Sequence, residues 1–136
     1  MFKKKSLVAG LALIITSGLT MDIAVAAGKA NWKRGRVYYR MVCTVCHLQE
    51  KGAAISPNSR TITEWKTYMD ADKHDATGKA NPKVSYYTSK EYRESVKDSN
   101  KAAKKFLKMP DAALYADIKE FVVHGAKDSD TPASCN

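Results

Sequence analysis

The sequence predicts an all-α domain. A stripe with helical period runs through residues 32–43, a second amphipathic stripe runs through residues 111–124, and little of the remaining chain reads as strand. The length of 136 residues is enough for one domain with its own core and too short for two ordinary ones. We therefore expect one helical domain and justify its parts below in chain order.

Residues 1–27 have the composition of a secretory signal peptide. Three lysines at positions 3–5 precede an apolar run, and small residues at 24–27 offer a cleavage site. Polar residues and a glycine break the apolar run well short of a membrane span. We predict cleavage, a mature domain of residues 28–136, export to the periplasm and no membrane insertion.

The mature chain is predicted to be basic. The full chain carries a formal net charge of +9, and removal of three lysines and one aspartate with the leader leaves +7. In a cytosolic protein this charge would suggest nucleic acid as a partner, but export excludes that partner and leaves acidic protein surfaces or anionic envelope material.

The first helix is predicted from residues at helical spacing before the cysteines. Trp32, Gly35, Tyr39 and Cys43 fall on one stripe, with Gly35 and Tyr39 four residues apart. A glycine on a helix face has no Cβ, so it allows a second helix to cross closely at that point. We expect the chain's last helix to be the crossing partner.

That last helix is predicted over residues 111–124. Its apolar positions recur at i, i+4, i+7 and i+8: Leu114, Ile118, Phe121 and Val122. Asp111 stands at its start and Gly125 follows its end as a stop signal.

Between these helices the sequence predicts a long irregular segment followed by one further helix. Residues 52–89 are polar and contain Gly78 and Pro82, so we expect a loop or small lobe with short structure only around residues 84–87. From Ser89 onward a single helix is predicted to run to about residue 108 and to carry lysines on one face: Lys97, Lys101, Lys104, Lys105 and Lys108.

The segment Cys43-Thr-Val-Cys46-His47 contains the side chains that could bind a metal ion or cofactor or form a reactive dithiol. Zinc would need two or more further ligands, and Cys135, His74 and His124 form no second paired motif. A thioredoxin-like dithiol would need a strand before the cysteines, where this sequence reads as helix. The third interpretation uses all three residues, because Cys-x-x-Cys-His anchors one haem through two thioethers and ligates its iron through the histidine.

These residues, with a Met-Pro pair late in the chain and a final amphipathic helix, resemble a class I monohaem cytochrome c of the small periplasmic kind found in metal-reducing anaerobic bacteria. The likeness covers residues 31–57 and 106–125. It implies an all-α fold whose first and last helices cross near the haem edge. It also implies that Met109 is the second axial ligand and that the carbonyl of Pro57 accepts the Nδ1 proton of His47.

The resemblance implies a periplasmic electron carrier that cycles between ferric and ferrous iron and meets acidic redox partners. The alternative is a haem sensor or haem enzyme with an open sixth position. The rivals of Met109 as ligand have simpler explanations: we expect Met69 to pack in the core, His74 to be a solvated loop residue and His124 to suit a helix end. Met41 is expected in the core. Cys135 is left over after haem attachment; an intermolecular disulfide and a flexible tail are both open to it, and the sequence does not choose between them.

Overall fold

The computed structural model describes residues 28–51, 54–74 and 80–135. Within them the chain forms the helices α1 (Trp32–Tyr38), α2 (Thr44–Lys51), α3 (Ile62–Ala71), α4 (Lys90–Val96), α5 (Lys101–Lys105) and α6 (Asp111–His124). A π-helical turn spans Tyr39–Cys43, and 3₁₀ turns span Pro57–Ser59 and Ser85–Thr88. This part of the chain contains no strand, so the predicted all-α class is confirmed.

The predicted signal peptide lies outside the described residues. Among the helices that the structure describes, none is both long and apolar enough to cross a bilayer.

The helix predicted before the cysteines is present and continues beyond them. Asn31 caps α1, because its side-chain oxygen accepts hydrogen bonds from the backbone N–H groups of Lys33 (3.0 Å) and Arg34 (3.2 Å). The π-helical turn then joins α1 to α2 without a break in the helical run. Such turns are rare within helices and are frequently found at functional sites.

Helices α1 and α6 cross at Gly35, as the sequence predicts. A Cβ built on Gly35 would lie 2.5 Å from the carbonyl carbon of Asp117 and 3.0 Å from the backbone nitrogen of Ile118, and closer still to the Asp117 oxygen. These distances leave no room for any side chain. The absence of a Cβ is therefore what lets the two backbones approach.

A buried carboxylate holds the crossing together. Asp117 is fully buried, and its Oδ1 accepts hydrogen bonds from the backbone N–H of Asn31 (2.7 Å) and from Nη2 of Arg34 (2.9 Å). The Nε of Arg34 donates to the other carboxylate oxygen, which completes a bidentate pair. The start of α1 is thus bonded directly to the middle of α6.

The core lies between this helix pair and α3. The four apolar residues predicted on α6 are all buried: Leu114, Ile118, Phe121 and Val122. They form one cluster with Tyr38 and Tyr39 from the first helical run and with Trp65 and Met69 from α3. Met69 is therefore a core residue, as expected.

The expectation that Met41 lies in the core is wrong. Its side chain is 46% exposed, because it projects from the outer face of the helical run. Three further exposed apolar residues occur on the same run: Val37, Val45 and Leu48.

The predicted irregular middle segment contains a helix that the sequence analysis missed. Helix α3 begins with a capping box: the Thr61 side chain accepts from the Glu64 N–H, and the Glu64 carboxylate accepts from the Thr61 N–H at 2.7 Å. The short structure predicted around residues 84–87 is present as the 3₁₀ turn Ser85–Thr88.

The single helix predicted from Ser89 is two helices. Ser89 does cap α4, since its Oγ accepts from the Tyr92 N–H at 3.1 Å. Asn100, however, starts α5 by accepting from the N–H groups of Ala102 and Ala103, both at 3.0 Å. Because a capping asparagine adopts extended backbone angles, the helix cannot run through it.

Candidate functional site

The predicted attachment residues lie on the first helical run, across the junction of the π-helical turn with α2. Cys43 is the last residue of the turn, while Cys46 and His47 lie three and four residues further on, in α2. Residues at this spacing share one helix face. Cys43 is half-buried against the core, Cys46 is exposed and His47 is half-buried. The motif therefore presents two sulfur atoms and one imidazole from one side of a helix.

The environment of Cys43 does not suit a reactive dithiol. Burial, together with the neighbouring Cys46, raises the pKa of its thiol to about 12. Reactive dithiols instead have a thiol whose pKa is lowered, because the thiolate is the nucleophile. All three cysteines of the chain lie in the described residues, and none forms a disulfide.

The side chain of His74 lies next to that of His47. The centroids of the two imidazole rings are 5.9 Å apart and their planes are inclined by 82°. His74 also contacts the ring of Tyr87, with 5.2 Å between centroids. The expectation of a solvated loop residue is wrong, because His74 is half-buried and contacts both rings.

The loop that carries His74 is held by hydrogen bonds across the middle segment. Asp72 ends α3 in the left-handed conformation (φ 48°), and its carboxylate accepts from the N–H (2.7 Å) and Oγ (2.5 Å) of Ser85. The backbone N–H of His74 donates to the Pro82 carbonyl at 2.7 Å. The His74 Nδ1 lies 3.3 Å from the carbonyl oxygen of Asn81. A charged side chain and two backbone carbonyls therefore position this imidazole.

A cluster of three tyrosines adjoins the cysteines. The ring centroids of Tyr86, Tyr87 and Tyr92 lie 5.1–5.5 Å from one another. Burial, together with nearby Cys46 and Cys43, raises the pKa of Tyr92 to about 12. The sequence analysis did not predict this cluster. No local pattern could have revealed it, because the rings come from a 3₁₀ turn and a separate helix.

The carbonyl of Pro57 has a different donor from the one that the resemblance implies. It accepts a hydrogen bond of 2.6 Å from the indole Nε1 of Trp65, which is buried on α3. A carbonyl oxygen has two lone pairs, so this bond leaves room for a second donor. The role of Pro57 towards His47 stays a prediction.

Met109 lies in the short link between α5 and α6. Its side chain is half-buried and packs against the core cluster. Its N–H donates to the Phe106 carbonyl at 3.0 Å, and its own carbonyl accepts from Nη1 of the fully buried Arg93 at 2.9 Å. The predicted role of Met109 as second axial ligand stays a prediction.

The remaining candidates have structural roles. His124 stacks on Trp32, with 4.2 Å between ring centroids, at the far end of the α1–α6 pair. Cys135 is half-buried, and its N–H donates to Oγ of Ser56 at 2.7 Å. Its neighbour Ala133 exchanges backbone hydrogen bonds with Gly125 and Asn58. The expectation of a flexible tail is therefore wrong.

The donor set fits a covalently attached haem. In residues 28–51, 54–74 and 80–135, no three Cys, His, Asp or Glu side chains are grouped as ligands of one ion. A covalently attached haem needs no such group, because the thiols bind its edge and the iron takes one or two side chains. The two sulfurs and one imidazole on a shared helix face, with an aromatic cluster beside them, fit that requirement.

Comparison of the chain with protein-family models, with curated proteins and with solved structures finds no match. Conclusions about function therefore rest on the residues of the site itself.

Proposed function

We propose that the mature chain carries one covalently attached haem and transfers electrons in the periplasm. Cys43 and Cys46 are the thioether anchors and His47 is the proximal ligand. The single observation that supports this most strongly is the position of the three side chains on one helix face.

The haem and the protein residues contribute different parts of the chemistry. Bound haem supplies a one-electron Fe(III)/Fe(II) couple. The two cysteines keep it attached, and His47 binds and orients the iron. The tyrosine cluster and the apolar core around Cys43 limit access of water, which tunes the potential.

Lysines beside the motif support docking of an acidic redox partner. Four of the five lysines named above are exposed: Lys101, Lys104, Lys105 and Lys108. Helix α5 packs against the π-helical turn, and the Asn100 side chain donates to the Met41 carbonyl at 2.7 Å. The positive charges are thus tied to the segment that carries the cysteines. Charge of one sign near the site speeds encounter without making the complex tight.

The attachment test uses the third cysteine as its matched control. The chain is exported in a bacterium that matures c-type cytochromes, and covalent haem is measured by intact mass and by the alkaline pyridine spectrum. We expect one haem in the wild type and in Cys135→Ala, and none retained after denaturation in the Cys43→Ala/Cys46→Ala double variant. Wild-type protein that folds and carries no haem, while a co-expressed reference cytochrome is matured, refutes the proposal.

Carbon monoxide distinguishes the carrier from a sensor or enzyme. A six-coordinate carrier in the ferrous state should bind the gas slowly at neutral pH and should cycle reversibly in voltammetry. Rapid binding instead indicates an open sixth position and favours the alternative function.

A further inference from the structure

We infer that His74 is the second axial ligand of the haem iron, opposite His47. The inference rests on the proposed function and replaces the methionine ligand that the sequence predicts. Three independent features of the described residues support it.

The first feature is the distance between the two imidazoles. Two imidazoles that bind one metal through bonds of about 2 Å have ring centres roughly 6 Å apart. The rings of His47 and His74 are 5.9 Å apart. They come from α2 and from the loop after α3, so the fold brings them together from different elements. This spacing accommodates two ligands of one iron, and the inclination of 82° between the ring planes shows that the two rings are not stacked in parallel.

The second feature is the hydrogen bond at Nδ1 of His74. The carbonyl of Asn81 can only accept, so the 3.3 Å contact requires the proton to be on Nδ1. In a neutral imidazole this leaves the lone pair on Nε2, which is the atom that binds a metal. Histidine ligands commonly donate their other N–H to a carbonyl or carboxylate, which fixes the tautomer and the ring orientation. His74 has this arrangement.

The third feature is the positioning of the loop. The Asp72 carboxylate binds Ser85 through two hydrogen bonds, and the His74 N–H binds Pro82. This network holds His74 in place before a cofactor binds, and such positioning lowers the entropy lost on binding. The half-buried position of Met109, by contrast, is accounted for by its packing against the core.

A second imidazole changes the properties of the site. Methionine raises the reduction potential relative to a second histidine, so a His47/His74 pair shifts the carrier to lower potential. It also removes the weak charge-transfer band at the red edge of the visible spectrum that a thioether ligand gives to ferric haem.

The test compares ferric spectra of the exported, haem-loaded protein and three variants. We expect a low-spin wild-type spectrum without the thioether band, and the same spectrum in Met109→Leu and in His124→Ala, the matched histidine control. His74→Ala should become high-spin, and added imidazole should restore its low-spin spectrum. Retention of the low-spin spectrum by His74→Ala overturns the inference.

Two further readouts keep the inference testable if His74→Ala does not accumulate. A thioether band in the wild type overturns it without any variant. His74→Met should gain that band and shift to a higher potential, and its failure to do so also counts against His74. Wild type without covalent haem refutes the proposed function itself, whereas covalent haem with a thioether band refutes only the role of His74.

Discussion

Replacement of Gly35 by alanine tests the helix crossing on which the fold depends. The added Cβ would lie 2.5 Å from the Asp117 carbonyl carbon and 3.0 Å from the Ile118 nitrogen, so the helices must separate by about 1 Å to restore ordinary contact. The clash is with backbone, which cannot rotate away. Overpacking of this kind costs about 3 kcal/mol, at the upper end of its usual range. The better helix propensity of alanine returns about 1 kcal/mol.

We therefore expect Gly35→Ala to lose about 2 kcal/mol of unfolding free energy, or roughly 10 °C of Tm in a domain of this size. The assay is urea unfolding followed by circular dichroism, on samples of equal haem content. Gly28→Ala is the matched control, because a Cβ there meets nothing within 4 Å. Equal stability of Gly35→Ala and wild type, within about 0.5 kcal/mol, would refute the argument that close approach of the backbones requires glycine.

Two other predictions concern buried polar groups. Arg93→Leu should lose about 2 kcal/mol in the same urea assay, because it leaves the Met109 carbonyl without its donor and removes one of the two donors to the Phe106 carbonyl and the charged partner of Asp111. An unaltered unfolding midpoint would contradict this. Burial raises the pKa of Tyr39, so the stability gained from its neutral phenol is present below about pH 10 and lost at higher pH. In the Tyr39→Phe variant the unfolding free energy should therefore decrease less steeply as the pH rises above about 10. The same pH dependence in the variant and the wild type would count against this prediction.

The sequence analysis was most successful where the signal is local or repeats along one helix. The bounds of α6 follow from its apolar spacing and its end residues, and the crossing at Gly35 follows from a glycine on a packing stripe. Helix α3 was missed although its signal is local, because the Thr61–Glu64 capping box stands in a polar segment interpreted as a loop. The break at Asn100 was missed because lysines at helical spacing lie on both sides of it and suggest one continuous helix. Asparagine, however, prefers to start helices.

The position of His74 could not be predicted from the sequence in the same way. The charged residues beside His74 predict an exposed side chain. That prediction fails because it leaves out the contacts that other segments make with the loop. Its burial depends on Asp72 pairing with Ser85, 13 residues away, and on α2 lying alongside. Contacts between segments of this kind leave no period in the sequence.

The bond between Asn31 and Asp117 also bears on the order of events during synthesis. It joins residues 86 positions apart, and closing so long a loop costs about 4 kcal/mol of chain entropy before any contact offsets it. High contact order of this kind slows folding. A chain made from its amino end cannot assemble the crossing until residues 111–124 have emerged. Until then the segment that carries the cysteines is not packed against α6. It is therefore accessible to other proteins that act on it before the core forms.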